Sequence, residues 1–429
     1  MACTLTEGTT TRDVAPSTEM KKSELQRPPH GQEFAFVDLF CGIGGFHLAL
    51  QSLGGRCVLA CDRDERARET YECWHGLRPV GDIFKLQVDD VPTHDVLAAG
   101  FPCQPFSLAG VSKKNSLGRA HGFADPTQGT LFFELLRIIQ GRRPAIAILE
   151  NVKNLRSHDS GRTWQVIRDC LSGADYHVHM DVLDARHWVP QHRERVFIVC
   201  FDKRRFNEAP SYEFPQRPNN AKKFASILEP KPDPKYTLSS PLWEYLKRYA
   251  EKHRAKGNGF GFGMAPLDGV SRTLSARYYK DGSEVLIEQS AGNPRRLTPR
   301  EAARLMGFPD KLEINVSDTQ AYRQFGNAVV PAVAKAVAAP ALDIFFRSRA
   351  AEIASALNHD AHPTDLTSQQ HRTDVGSNSG GRRETRRPSQ PKIDRLKSKP
   401  RATSKSSTKA SKAARPRSSP SKKSSNRMK

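Results

Sequence analysis

From Phe34 onward the chain alternates short apolar runs with longer amphipathic stretches. FAFVDLF, RCVLACD, DVLAAG, AIAILE and RVFIVCF are six or seven residues long and dominated by Val, Ile, Leu, Ala and Phe. Runs of that length, apolar almost throughout, suit strands covered on both faces. FHLALQSLG, the stretch from Glu65 to Trp74, TLFFELLRIIQ and the segment around TWQVIRDCL lie between them with helical spacing. Strands alternating with helices predict an α/β fold: right-handed βαβ units, a mostly parallel sheet, and helices on both faces. After Phe201 the alternation stops. Residues 202–240 are rich in Pro, Asn and charge, and GNGFGFG at 257–263 reads as loop. Helical character returns in LTPREAARLMGF and AVVPAVAKAVAAPALDIFF. The predicted organisation is a polar, disordered leader (1–33), an α/β block (34–201), an irregular second domain (202–293), a return to the first block (294–346) and a tail (347–429).

Composition narrows the class. The 429 residues are 37% hydrophobic and 26% charged, with mean hydropathy −0.60. No apolar run is read as reaching the ~18 residues of a membrane span, and the polar leader shows no signal-peptide core. The eight cysteines are scattered without a framework, which favours free thiols and a reducing, cytoplasmic setting. Of the net charge of +21, residues 381–429 carry +16, from 18 basic and 2 acidic residues. No aromatic residue follows Phe346. Such a tail lacks the apolar surface to offset its ordering entropy, so disorder is expected. Its charge reads as a grip on nucleic acid, or as a solubilising tail.

Three places carry candidate chemistry. CGIGG between a strand and a helix lets the backbone approach a ligand at the strand's carboxyl end, the edge where open α/β sheets bind. Asp62 lies about 20 residues beyond the first glycine, where an acid can accept from ribose hydroxyls. GDI at 81–83 offers another acid beside an adenine pocket. The glycine spacing does not match the dinucleotide fingerprint. Cys103 in GFPCQPFS follows a strand and is set among glycine, prolines and polar residues. Cys57, Cys61, Cys73, Cys170 and Cys200 read instead as small buried hydrophobes. Residues 108–129, with Lys113, Lys114 and Arg119, read as a mobile basic loop. Glu150 ends a buried strand, where it could donate a proton or merely cap the next helix. Arg193 and Arg195, two apart at the start of a strand, share one side and suit a carbonyl or phosphate oxygen, or a solvated edge. No cysteine–histidine spacing matches a closed metal site, so no metal is expected.

FVDLFCGIGG, GFPCQPFS, ENV, QHRERVFIV, RRLTPREAARLMGFPD and QFGNAVVP occur in that order between about Phe34 and Phe346. Together they resemble the DNA (cytosine-5)-methyltransferases, most closely the bacterial Dcm-type branch. The resemblance implies a Rossmann-like, S-adenosylmethionine-dependent catalytic domain with a smaller target-recognition domain at 202–293. It implies that Cys103 adds to carbon 6 of a flipped-out cytosine in duplex DNA. Glu150 would hold or protonate ring nitrogen 3, and Arg195, secondarily Arg193, would contact the exocyclic oxygen. S-adenosylmethionine would be held by Phe40, Gly42, Gly44, Asp62, Asp82, Ile83 and Asn327. Asp62-Arg63 stands where members of the family often carry Glu-Trp. That keeps the hydroxyl contact and puts the aromatic stacking in doubt. The 108–129 loop would close over the base, with Ser107, Lys113, Lys114 and Arg119 on phosphates. The segment 236–287 resembles the region that reads CCWGG; related CCGG methylases share part of it. Arg272, Arg277 and Lys280 there could contact guanine or phosphates. A monomer is expected, working either alone or beside a cognate restriction endonuclease or mismatch endonuclease in the same system. An RNA cytosine-5 methyltransferase on the same fold is the rival reading.

Overall fold

A computed structural model describes residues 33–102, 131–219, 222–258 and 261–360. Six strands form the main sheet: β1 Phe34–Leu39, β2 Gly55–Cys61, β3 Val96–Gly100, β4 Ile146–Val152, β5 Tyr176–Asp184 and β6 Glu194–Asp202. Their order is β2-β1-β3-β4-β6-β5. The first four are parallel, while β6 runs antiparallel to both of its neighbours. Each expected strand is present, and the sheet is mostly parallel. Strand β5 was not expected from the pattern: its alternating His177 and His179 leave most of it half-buried rather than apolar throughout.

Side-chain alternation splits the core into two layers, as a sheet covered on both faces requires. Phe36, Val96, Ala98, Ile146, Ile148, Phe197 and Val199 point to one face. They meet α1 (Gly45–Gln51) and the long helix described below. Val37, Leu39, Leu97, Ala99, Ala147, Leu149 and Ile198 point to the other, toward α3 (Leu131–Arg142) and α4 (Arg162–Gly173). Between them in sequence, α2 (Glu65–His75) begins where the Asp64 carboxylate accepts from the N–H groups of Arg66 and Ala67, satisfying donors that the first turn leaves free.

The region 202–293 is not wholly irregular. It contains the sixteen-residue helix α5 (Ser240–Ala255), begun by Pro241 in its first turn. A short ladder joins β7 (Leu286–Ile287) to β8 (Arg295–Arg296). Phe224, Ile227, Tyr236, Leu274 and Tyr278 from this region are buried in the same core as the sheet. Helix α6 (Pro299–Leu305) opens on a capping box in which Thr298 and Glu301 each accept from the other's backbone N–H. Helix α7 (Asp318–Asn327) follows, then α8 (Pro331–Asp360). Two expectations need correction here. The folded body does not end at Phe346, since α8 continues to Asp360. The segment Asp318–Ala356 also contains an 18-residue stretch apolar enough for a membrane span. Its Val333, Val337, Ala341, Leu342 and Phe345 are, however, buried inside the protein, so that apolar stripe is spent on the core.

Candidate active site

The strand order reverses beside β1, because β2 lies on one side of it and β3 on the other. Ligands of open α/β sheets bind at such a switch point, beyond the strands' carboxyl ends. A cleft of about 720 Å³ opens there. Phe40, Gly42, Asp62, Asp82, Ile83, Glu150, Arg193, Arg195 and Asn327, all singled out from the sequence, line it.

At the β1–β2 end, Asp62 follows β2 directly. Its Oδ2 accepts from Gly42 N–H at 2.8 Å and its Oδ1 from Asp64 N–H at 2.8 Å. These bonds fix the carboxylate against the glycine turn while each oxygen keeps a lone-pair direction for a ligand hydroxyl. Burial raises the Asp62 carboxyl above its ordinary range, against the pull of both N–H donors. Phe40 holds a positive φ of 53°, a conformation that costs a non-glycine residue energy and recurs at ligand sites. The cradle therefore fits a nucleoside-bearing cofactor: an anchored acid for a ribose, Asp82 and Ile83 on the next loop, and the exposed ring of Phe84 alongside.

Gly44 departs from expectation. It does not line the cleft but caps α1 at φ 85°. A Cβ there would stand 2.2 Å from His75 Nε2. Its glycine is needed for backbone geometry and for that ring. His75 reaches Ile43 O at 3.3 Å and stacks on His47 at 4.0 Å. His47 Nδ1 in turn pairs with Tyr71 Oη at 2.7 Å. Burial pulls His47 down to about 3 and His75 to about 4, so both rings are neutral struts beneath the turn.

At the β3–β4 end, register brings the chemistry together. Gly100 lies opposite Glu150, and Val152 opposite Arg195. Because β6 is reversed, its first residues arrive at the rim where β4 finishes. Arg195 Nε thus sits 3.0 Å from Glu150 Oε1. Burial lifts the Glu150 carboxyl above its ordinary range; Arg195, then Arg193, pull it down by less. Arg193 faces elsewhere. Its guanidinium donates to Leu274 O, Gly326 O and Ala328 O, each at 3.0 Å, and only 2% of the residue is exposed. Its two terminal nitrogens tie the start of β6 to the end of α7, while its buried Nε has no partner among the described residues. Burial, with Arg195 nearby, lowers its pKa to about 9.

Asn151 was passed over in the sequence. Its Nδ2 donates to Phe101 O at 2.8 Å, which anchors β3's exit two residues before Cys103. Its place between Glu150 and Val152 was the available signal. Cys103, Ser107, Lys113, Lys114 and Arg119 lie outside the described residues. Arg272, Arg277 and Lys280 are exposed and lie apart from the cleft lining. Among the described residues no cluster of His, Cys, Asp or Glu could hold a metal.

Residues 34–342 match the sequence profile described as C-5 cytosine-specific DNA methylase. The chain is 46% identical to the DNA-cytosine methyltransferase of Escherichia coli strain K12 over an alignment of 374 residues, covering 73% of this chain and 79% of that protein. It is 49% identical over 310 residues to the type II methyltransferase M.NlaX of Neisseria lactamica, covering 71% and 95%. Among solved structures, S. pombe Dnmt2 methyltransferase superposes with a TM-score of 0.57 at 21% identity, covering 73% of this chain and 99% of that one. That likeness concerns the fold.

Proposed function

Since this chain belongs to the C-5 cytosine-specific DNA methylase family, we propose that it methylates carbon 5 of a flipped-out cytosine in duplex DNA through a covalent adduct with Cys103. The observation that carries the reading is the Glu150–Arg195 contact at the rim of the same cleft that holds the anchored Asp62. S-adenosylmethionine, when bound, supplies an electrophilic methyl group; Phe40, Gly42, Asp62, Asp82, Ile83 and Asn327 would hold it.

Carbon 5 of cytosine is a weak nucleophile. The Cys103 thiolate forms a bond to carbon 6 with its lone pair, pushing electrons toward carbon 5. Glu150, whose buried carboxyl favours its proton, donates to ring nitrogen 3 and so takes up the charge created by attack. Arg195 stabilises the exocyclic oxygen and keeps Glu150 oriented. Carbon 5 then takes the methyl group. The ring-nitrogen proton then returns to Glu150, and loss of the carbon-5 proton to solvent expels the thiolate and restores the aromatic ring. Chemistry on a base within a duplex needs that base out of the stack, so Ser107, Lys113, Lys114 and Arg119 would secure phosphates around it.

The resemblance of residues 236–287 to the region that reads CCWGG supports its inner cytosine as the target, with Arg272, Arg277 and Lys280 as groove or phosphate contacts in residues 202–293. A restriction or mismatch endonuclease directed to the same site would be its companion. Bisulfite sequencing of DNA from cells expressing the wild type should return methylated CCWGG, and cells expressing Cys103→Ala should return none. Duplexes carrying 5-fluorocytosine at the target should trap a covalent complex with wild type alone. Substantial methylation by the alanine variant would defeat the assignment, whereas methylation at CCGG would correct only the site.

A further inference from the structure

Helix α5 buries only one of its sixteen residues, Leu246. One side carries the helix's contacts: Leu242 and Trp243 pack with Leu246, Leu238, Leu286 and Phe262, and Trp243 meets Phe262 at 4.7 Å. A flank of the helix, turned about 100° from that side, holds Tyr245, Arg248, Tyr249, Lys252 and Lys256, all exposed. Their spacing of i, i+3, i+4, i+7 and i+11 puts them in one stripe. Tyr245 and Tyr249 are 52% and 37% exposed, with ring centroids 6.0 Å apart. Among the described residues, Arg248, Lys252 and Lys256 make no ion pair.

Lys252 and Lys256 suit the negative end of the helix dipole, but the dipole does not account for Arg248 or for the two exposed tyrosines. Like charges four apart, as at Arg248–Lys252, weaken a helix. Two exposed tyrosine rings add apolar surface in water. The position of the helix supplies a reason. Ala250 lies against Gly261, whose carbonyl accepts from Arg272 at 3.4 Å. Ser271, next in the chain, pairs with Gln191 and accepts from His192 N–H at 2.9 Å, three residues before Arg195. The stripe is thus joined through one strand-like segment to the catalytic rim. Its length, about 17 Å at 1.5 Å per residue, matches roughly five base-pair steps of 3.4 Å.

Resting on the methyltransferase reading above, we infer that the outer stripe of α5 docks on the phosphate backbone of the duplex, with Arg248, Lys252 and Lys256 on phosphates and the tyrosine hydroxyls donating beside them. This surface positions the DNA without reading its bases, because phosphate contacts carry register but no sequence. Charge decides the occupant: three unpaired cations in line favour a regularly spaced polyanion over an apolar protein face.

The experiment compares full-length wild type with Arg248→Ala/Lys252→Ala/Lys256→Ala. Affinity for a 25-mer duplex is measured at several salt concentrations, and bisulfite sequencing is run in parallel. Each lost phosphate contact lowers the slope of log affinity against log salt by about 0.9, so the triple variant should be shallower by about 2 to 3. Its melting temperature, S-adenosylmethionine binding and methylated sequence should stay unchanged, because these side chains touch neither core nor cleft. Equal slopes in two folded proteins would overturn the inference while leaving the methyltransferase reading intact if wild type methylates. A moved methylation site with an unchanged slope would make α5 a base reader and likewise overturn it. A wild type that neither binds duplex nor methylates it would bring down both readings.

Discussion

Arg193 and Arg195, two apart, look interchangeable in the sequence, and their surroundings make them opposites. Arg195 leaves its Nε on Glu150, whereas Arg193 spends its guanidinium on three buried carbonyls. Arg195→Ala should therefore lower the single-turnover methyl-transfer rate by roughly 10²- to 10³-fold, the usual loss for one donor to developing charge, with little change in melting temperature. Arg193→Ala should instead destabilise the fold by at least about 3 kcal/mol in chemical denaturation, since buried acceptors lose their partner. The reverse pattern of losses would exchange the roles. Gly326 belongs to the same clamp: a Cβ there would lie 2.4 Å from the backbone of Ser275 and Ala276, so its bareness lets the Arg193 carbonyls converge. Glu150 adds a pH signature. Its carboxyl is raised above the ordinary value near 4.5, so the folded protein holds this proton more tightly than the unfolded chain does. The resulting stability is fully present below pH 4.5 and is lost as pH rises through the elevated folded pKa. Glu150→Gln cannot ionise. Its stability relative to wild type should therefore increase between pH 4.5 and 7 in urea unfolding, and a constant difference would contradict the raised pKa.

At the scale of elements, the strongest internal tie lies away from the chemistry. Glu301 in α6 accepts from Arg295 at 2.7 and 2.8 Å, and also from the N–H groups of Glu229 and Thr298. Both charges are buried, at 0% and 6% side-chain exposure. Removing one partner of such a pair leaves the other uncompensated, which costs about 3–5 kcal/mol. Glu301→Ala should show that loss as a lower denaturant midpoint at an unchanged slope, and Glu301→Gln, which keeps an acceptor for the helix cap, should lose less. The stretch LTPREAARLMGF made this helix legible in the chain, and the structure adds its capping box. The reversal of β6 was not legible, because an apolar run such as RVFIVCF has no direction. Helix α5 was missed for a related reason: a helix with one buried residue has too little apolar periodicity to announce itself.

For the whole molecule, the charge distribution is the feature that reaches furthest. Residues 381–429 carry +16 and the rest of the chain +5. If the arm contacts phosphates and releases counterions, deleting it should weaken DNA affinity at low salt and make the salt slope shallower, without moving the methylated site. Screening over ~8 Å at physiological ionic strength means the difference should shrink as salt rises. Identical slopes with and without the arm would make it a solubilising tail. The chain by itself determined the layered α/β class and the ligand-binding edge, because strand and helix periods and the turn glycines are local properties. It also offered the candidate residues of the chemistry, since Glu150 and Asp62 close apolar runs and Cys103 follows one by three residues. Only the tertiary structure decided which arginine meets Glu150, that His75 packs against Gly44, and that Asn151 holds the chain ahead of Cys103. Those outcomes depend on strand direction, register and burial, which arise when segments distant in sequence pack together, and no local pattern encodes them.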